Sequence, residues 1–324
     1  MLRGSRILII CLLCGTLVAQ EDPNLSIYEI QFTTDPAGDS PYNGQTVDCR
    51  GGIVTHKYPG TRPKLTLYDP CHPTGWGGIQ VKDWISPFNL FNTAEVGDWV
   101  VLKNVLVEEF VGNTILQYQL AYQPGFSIIS HDNPLPEPIV VEPNAITSPV
   151  EGPLWEWHVV DHGAEQYEHM WLRVEKVTVT EKSMGAHNDN YVLQSFVYPD
   201  DPKMSCWGAD YMNIDKVGLY HPEVEIGRQF CSVTGILEQY TSLTNGWDYY
   251  QLLTTNTEDF FISQEADFDE DCDVDITDVS MFSEHWLETG CSDPCWCFGM
   301  DMNQNSTVDI PDMNTLAENW LVGR

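Results

Sequence analysis

The sequence predicts a mainly β protein, with two small antiparallel barrels in tandem followed by a small α-helical unit on paired acidic loops. Three observations predict it. Short β-branched or aromatic runs, each bounded by Gly, Pro, Asn or Asp, recur between residues 46 and 262. These runs fall into two similar halves offset by about 130 residues. The last 60 residues carry a 34-residue repeat of carboxylates and aromatics.

The N-terminus reads as an export signal over residues 1–20. Arg3 and Arg6 precede an apolar stretch that starts at Ile7, small residues follow near Val18-Ala19, and Gln20-Glu21-Asp22 lie beyond. The stretch is shorter than the ~20 residues a membrane-spanning helix needs, and no later stretch is long and apolar enough. Lipid attachment at Cys11 or Cys14 is disfavoured by the bulky Ile10 and Leu13 before them. The expected location is therefore secreted, extracellular or attached to the cell surface. The formal charge of −33 argues against non-specific binding to nucleic acid or to anionic membranes, which takes clustered Lys and Arg.

The first barrel is expected over residues 21–132. Its strands are Thr46-Val47-Asp48-Cys49 leading to Gly52-Ile53-Val54-Thr55, then Lys64-Leu65-Thr66-Leu67-Tyr68, Trp99-Val100-Val101-Leu102, Val105-Leu106-Val107 and Ile115-Leu116-Gln117-Tyr118. Residues 133–149 are proline-dense, which suits a stiff extended connector. The second barrel is expected over residues 150–264, with Trp171-Leu172-Arg173-Val174, Val177-Thr178-Val179, Tyr191-Val192-Leu193, Cys231-Ser232-Val233, Tyr249-Tyr250-Gln251-Leu252-Leu253 and Phe260-Phe261-Ile262. Val96-Gly97-Asp98-Trp99 and Ile226-Gly227-Arg228-Gln229 open corresponding strand pairs in the two halves. Units of roughly 110 residues with such short strands favour small antiparallel barrels. Gly44-Gln45-Thr46-Val47, Val96-Gly97-Asp98-Trp99 and Tyr167-Glu168-His169-Met170-Trp171 resemble strand openings of the OB-fold modules of secreted bacterial proteins. A β-sandwich of similar strand lengths is the alternative.

Residues 265–324 hold 15 acidic residues and one basic one, Arg324. Asp267, Asp269, Asp271, Asp273, Asp275 and Asp278 recur 34 residues later as Asp301, Asn303, Asn305, Thr307, Asp309 and Asp312. A hard cation takes six to eight oxygens, and a loop wound around it offers them at alternate positions. Positions 1, 3 and 5 supply side chains, position 7 (Asp273, Thr307) its carbonyl, position 9 (Asp275, Asp309) a water contact and position 12 (Asp278, Asp312) a bidentate carboxylate. Two calcium ions are the expected cofactor. Val274 and Val308 would pair the loops. Val279, Phe282 and Trp286, then Met313, Leu316 and Trp320, fall on one face of the helix after each loop. Because ligands, helix anchors and duplication all match, the segment resembles a type I dockerin with EF-hand-like loops. That resemblance implies docking onto a cohesin domain of a scaffold or surface protein, through residues near loop positions 10 and 11: Ile276 and Thr277, Ile310 and Pro311. It also implies a link to polysaccharide catabolism. Position 6, usually Gly, is Cys272 and Ser306, which strains the loop turn.

Past the signal, eight cysteines remain, an even number that suggests disulfides. Their distribution suggests Cys49–Cys71 and Cys206–Cys231. Cys272, Cys291, Cys295 and Cys297 allow three pairings, among them a staple from Cys272 to the linker. A zinc site from Cys291, Cys295 and Cys297 lacks a spaced fourth ligand. His158, His162 and His169 lie close in sequence but on no long helix, which argues against a metal site. Glu108-Glu109 and Glu165…Glu168 resemble glycosidase acids only as far as any carboxylate pair would in so acidic a chain. No nucleophile elbow, phosphate loop or zinc-hydrolase motif occurs. The tryptophans and tyrosines (Trp76, Trp155, Trp157, Trp207, Trp247, Tyr249, Tyr250) serve as core or loop anchors more readily than as sugar-stacking platforms. The expectation is a non-catalytic, calcium-binding component with polysaccharide as a candidate ligand. Its alternatives are an unrecognised glycoside hydrolase acting on O-glycosyl compounds and an extracellular nucleic-acid binder. The net charge of the barrels speaks against the latter.

Overall fold

The computed structural model describes residues 24–59, 63–85, 89–152, 156–159, 162–185, 190–210, 224–255, 257–262, 265–269 and 271–320. The segment expected to be an export signal, residues 1–20, lies outside the described residues. Residues that read in sequence as two runs form one strand, β1 (Thr46–Tyr58). Gly51 and Gly52 do not break it but bend it. A Cβ on Gly51 would sit 1.6 Å from the Val100 carbonyl oxygen, and one on Gly52 2.4 Å from that of Tyr68. Gly51 also has φ +65°, and the register shifts between Cys49 and Gly52. This bulge lets one strand pair with two partners at once.

Those partners are β2 (Lys64–Tyr68) and β4 (Trp99–Phe110), with β3 (Gly78–Asp83) and β5 (Asn113–Tyr118) completing the ring. The order β1-β2-β3-β5-β4 closes by β4 on β1, with β3 and β5 parallel and the other pairs antiparallel. That is the five-stranded Greek-key order of an OB-like barrel. β6 (Gly125–Ser130) adds to the edge of β4. Helix α1 (Ile27–Gln31) starts with a Ser26–Glu29 capping box and buries Ile27 and Ile30 in the barrel. Helix α2 (Asn89–Thr93), between β3 and β4, buries Leu90 in the same core.

The second barrel repeats this order. β10 (Trp171–Met184), β11 (Asn190–Ser195), β12 (Ser205–Asp210), β14 (Trp247–Thr254) and β13 (Gln229–Ser242) follow one another, and β13 closes on β10. Here β12 and β14 are the parallel pair. Gly97 before β4 and Gly227 before β13 share a left-handed turn, at φ +92° and +88°. Short strands β8 (Val150–Glu151), β9 (Trp157–His158) and β15 (Phe260–Phe261) extend the sheet. The proline-dense connector is not a free spacer. Its β7 (Ile139–Val140) pairs in parallel with Leu172 and Arg173, and Val141 and Ile146 enter the core of the second barrel. Trp157, Trp207, Tyr240, Trp247 and Tyr249 pack on one another, Trp207 and Tyr249 being 1% exposed.

The barrels meet face to face. Asn113 clasps the Gln239 backbone through both amide atoms, at 2.5 and 3.0 Å, and Thr241 N donates to Val111 O at 2.8 Å. At Gly78 the approach is so close that a Cβ would lie 2.4 Å from the His169 backbone. Lys64 Nζ and Gln80 Nε2 both donate to Glu238 Oε1, at 2.9 and 2.6 Å, inside the interface. Glu165 and Glu168 are buried there too. Glu165 accepts from Tyr250 Oη at 2.7 Å, and Glu168 from Thr114 N at 3.1 Å and Gln31 Nε2 at 3.3 Å. Burial pushes the Glu165 carboxyl up to about 8 and that of Glu168 well above its usual range, with Glu109 adding repulsion to both. Buried His169 is pushed down to about 3, so it is neutral. These carboxylates are packed into a joint.

Two nine-residue helices, α3 (Ile276–Glu284) and α4 (Ile310–Glu318), make up the C-terminal unit with the loop before each. Phe282, Leu316, Val274 and Val308 share its core with Ala266, Met300 and Cys291. Val308 makes its backbone pair with Leu287 and Glu288. Trp286 and Trp320 lie past the helix ends and are more than a third exposed, as is Met313, so the expected apolar faces shrink to Phe282 with partly buried Val279 and to Leu316.

The disulfides correct the sequence reading. Cys231 bonds Cys272, and Cys291 bonds Cys297. Cys49 and Cys71 do not join, since one is buried inside the first barrel and the other exposed, and Cys206 is buried away from Cys231. Burial holds the Cys49 and Cys206 thiols at about 12, protonated and inert. Cys295 is exposed and unbridged, and Cys272 staples its loop to the barrel instead of to the linker.

Candidate metal centre

Each acidic loop is wound by its own side chains accepting backbone N–H bonds, and the two frames repeat. In the first, Asp267 accepts from Asp271 N at 3.1 Å and Cys272 N at 2.9 Å, and Asp271 accepts from Asp273 N at 3.0 Å. In the second, Asp301 accepts from Asn305 N at 3.0 Å and Ser306 N at 2.9 Å, and Asn305 from Thr307 N at 2.9 Å. Position 12 closes both loops. Asp278 accepts from Phe268 N and Asp275 N, each at 2.7 Å; Asp312 accepts from Asn303 N at 3.0 Å and Asp309 N at 2.9 Å. The residues at positions 9 and 12 are also the N-cap and N3 of the following helix, forming a capping box at each start. One carboxylate therefore fixes the loop end and the helix beginning together.

Position 6 has the conformation a glycine would take. Cys272 has φ +74° and Ser306 φ +77°. A left-handed L-residue costs roughly 1–2 kcal/mol. At Cys272 the bond to Cys231 holds it in place.

The donors fit a hard divalent cation. One carboxylate oxygen from each of Asp267, Asp269 and Asp271 lies within 4.8 Å of the others. Asp278, Asp301 and Asp312 are at most 1% exposed, and among the described residues no Lys or Arg pairs with them. Buried charge satisfied only by backbone N–H groups calls for a cation. Burial, with repulsion from Asp278 and Asp271, pushes Asp267 up to about 6 and raises Asp269 as well. Oδ1 of Asp309 is buried without a hydrogen-bond partner. The sulfurs of Cys231 and Cys272 also lie within 4.8 Å of Asp267 but are bonded to each other, which leaves oxygen as the donor.

Not every predicted residue points inward. Asp273 reaches Lys176 Nζ of the second barrel at 3.5 Å, while Asp275 caps α3 through Thr277 N at 2.7 Å. The two loops differ in charge, with Asp267, Asp269, Asp271 and Asp278 in the first against Asp301 and Asp312 flanking Asn303 and Asn305 in the second. Affinity follows ligand charge and rigidity, so the first loop is the stronger candidate. Ile276 and Ile310 open the helices at 68% and 65% exposure, with Thr277 and Pro311 exposed beside them. The histidines do not converge: His158 lies 3.7 Å from Glu156, His162 3.3 Å from Asp248, and His169 sits in the joint. Sequence reasoning missed the loop's contacts with the barrel at Lys176 and Cys231, since nothing local to those residues signals them.

No family model matches this chain, and no curated protein matches it. Among solved structures it is similar to the tetrameric p202 HIN2 (TM-score 0.25, 14% identity, covering 33% of this chain and 49% of that one). It is also similar to fission yeast Pot1 with ssDNA (0.28, 14%, 72% and 84%) and to a replication protein A heterotrimer bound to ssDNA (0.24, 10%, 70% and 53%). The chain spans about half the length of the first of these. Likenesses this faint decide neither fold nor ligand, and the barrel assignment rests on the strand order above. Among the described residues no helix is long and apolar enough to cross a membrane.

Proposed function

We propose that this protein is a secreted, calcium-binding component whose C-terminal unit is a dockerin. The unit tethers the two barrels to a cohesin domain of a scaffold or cell surface in the service of polysaccharide breakdown. The observation that carries the reading is the doubled loop frame. Two segments 34 residues apart wind the same way, with position 1 accepting from position 6 N and position 12 from position 9 N in both, and among the described residues no Lys or Arg pairs with Asp278, Asp301 or Asp312. Each loop would hold one Ca2+ through its position 1, 3, 5 and 12 side chains and the position 7 carbonyl. When bound, the ion supplies positive charge that locks loop to helix; it performs no chemistry on a substrate. The exposed pairs Ile276 and Thr277, Ile310 and Pro311 stand beside the two loops in like positions, where a partner would read them. Their apolar exposure on an otherwise acidic unit suits a protein partner.

Calorimetric titration of the chelator-stripped full chain with Ca2+ tests this. Two ions per chain are expected, the first-loop ion the tighter, with one site lost in Asp278→Asn and the other in Asp312→Asn. Absence of saturable binding refutes the reading. A panel of immobilised cohesin domains then tests docking, which should vanish with chelator and weaken in an Ile276→Ala, Ile310→Ala double variant.

A further inference from the structure

A cavity of about 710 Å3 lies at the junction of both barrels and the connector, next to the first acidic loop at Cys272. Residues of β10 and β13 line it together with Thr55 and His56 of the first barrel, Leu135, Glu137 and Pro138 of the connector, and Cys272. Its size is within the about 300–1,000 Å3 typical of small-molecule sites. Side chains two apart on a strand share a face, so Trp171, Arg173 and Glu175 form a stripe along β10 that lines the cavity: an aromatic ring, a cation and a carboxylate. Phe261 adds a second, partly exposed ring.

The polar accounting at this stripe does not close. Trp171 Nε1 and Arg173 Nε are both buried without a hydrogen-bond partner, and the Arg173 side chain makes no ion pair among the described residues. His56, set edge-on to Trp171 with centroids 5.3 Å apart, has a buried, unpartnered Nδ1. Burial pushes its pKa down to about 4, so the ring is neutral at physiological pH. Two unsatisfied donors in one wall call for acceptor atoms from outside the chain.

The charge of the cavity decides what carries those acceptors. Glu137, Glu175, Glu258 and Asp259 face Arg173 and Lys176, and Lys176 is already engaged by Asp273. A polyanion would meet four carboxylates for two cations. A hydroxyl accepts from the orphaned donors and donates to the carboxylates, and a pyranose ring offers several beside an apolar face suited to Trp171 or Phe261. We propose that this cavity is a binding site for a neutral oligosaccharide, with Arg173 and Trp171 as its donors, Glu175 and Glu137 as its acceptors and an aromatic wall for stacking. The site gives the polysaccharide part of the proposed function a place in the molecule, and it does not rest on the calcium ligands.

The test uses the full, calcium-loaded chain with soluble neutral polysaccharides (β-glucan, xylan, galactomannan), with polygalacturonate and single-stranded DNA as anionic comparators. Affinity gel electrophoresis and calorimetry supply the readout. Binding to at least one neutral polymer is expected, weakened about tenfold or more in Arg173→Gln and in Trp171→Ala. Among the described residues the Arg173 side chain makes no hydrogen bond or ion pair, so the thermal transition of Arg173→Gln should match the parent. No retention by any neutral polymer overturns the proposal. So does unchanged affinity in Arg173→Gln, or a preference for either anionic comparator. Calcium titration of the same preparation, first stripped with chelator, separates the two readings. Two bound ions without glycan retention leave the docking reading standing alone; glycan retention without calcium uptake leaves only the cavity.

Discussion

Replacing Glu165 by Gln should alter how the protein's stability depends on pH. The Glu165 carboxyl is held at about 8 by burial between the barrels, above its ordinary value of 4.5. Between those two values the folded chain keeps a proton that the unfolded chain releases. The contribution is therefore fully present below about 4.5 and is lost as pH rises toward 8, at up to about 1.4 kcal/mol per pH unit. From pH 5.5 to 7.5 this one group costs about 2.5 kcal/mol of folding stability. Gln is nearly isosteric, its amide oxygen still accepts from Tyr250 Oη, and it does not titrate. Urea denaturation of parent and Glu165→Gln at half-unit intervals, followed by tryptophan fluorescence, gives both slopes. The variant should be the more stable above pH 7, and its stability should fall less steeply by about the figure above. Glu168, raised for the same reason, leaves a residual slope in both chains. Parallel pH profiles would refute the assignment, because they would mean that Glu165 is ionised in the fold and neutralised by other groups.

Three further outcomes follow from the joints described. Lys64→Met should destabilise by about 3–5 kcal/mol, since it leaves Glu238 buried with Gln80 as its hydrogen-bond donor and only Lys82 as a more distant cation, and adding Glu238→Leu should recover most of that in denaturation curves. Removing the Cys231–Cys272 bond with paired serines releases a loop of 41 residues, worth roughly 4 kcal/mol in the chain-entropy account. Limited proteolysis should then cut between the second barrel and the first acidic loop well before the barrels unfold. Gly78→Ala should force apart the barrels at the His169 backbone, read as an increased radius of gyration or a split thermal transition.

The acidic loops were legible in the sequence because their chemistry repeats at one spacing, from Asp267 and Asp301 through Asp278 and Asp312. Strand positions were legible from β-branched runs, but their continuity was not. Gly51-Gly52 reads as a break and serves instead as the bend that lets β1 join two partners. β3, β6 and β12 were missed: Gly78 and Gly125 open the first two, and Gly208 lies within the third. Glu165 and Glu168 read only as one carboxylate pair among many in an acidic chain, since a sequence does not say which carboxylates, Glu238 included, a neighbouring barrel will cover. The disulfides followed the same rule. Proximity along the chain suggested pairs within each unit, whereas the register of β13 brought Cys231 to a loop beyond its own barrel. The cavity at the connector was invisible because its walls come from six separate stretches of chain.

The bond from Cys272 to Cys231 also sets how the molecule would carry load. A pull delivered through the first acidic loop passes at Cys272 straight into β13, the strand that closes the second barrel against β10, β14 and β15. The stretch of chain that follows β15 and leads to Cys272 lies outside that path, so it need not bear the tension. Resistance is instead shared among strands that pair along most of their length. The C-terminal unit is thus anchored as a rivet through a plate, and an object fastened to it would tug on the barrel's framework before it could unravel the chain that joins them.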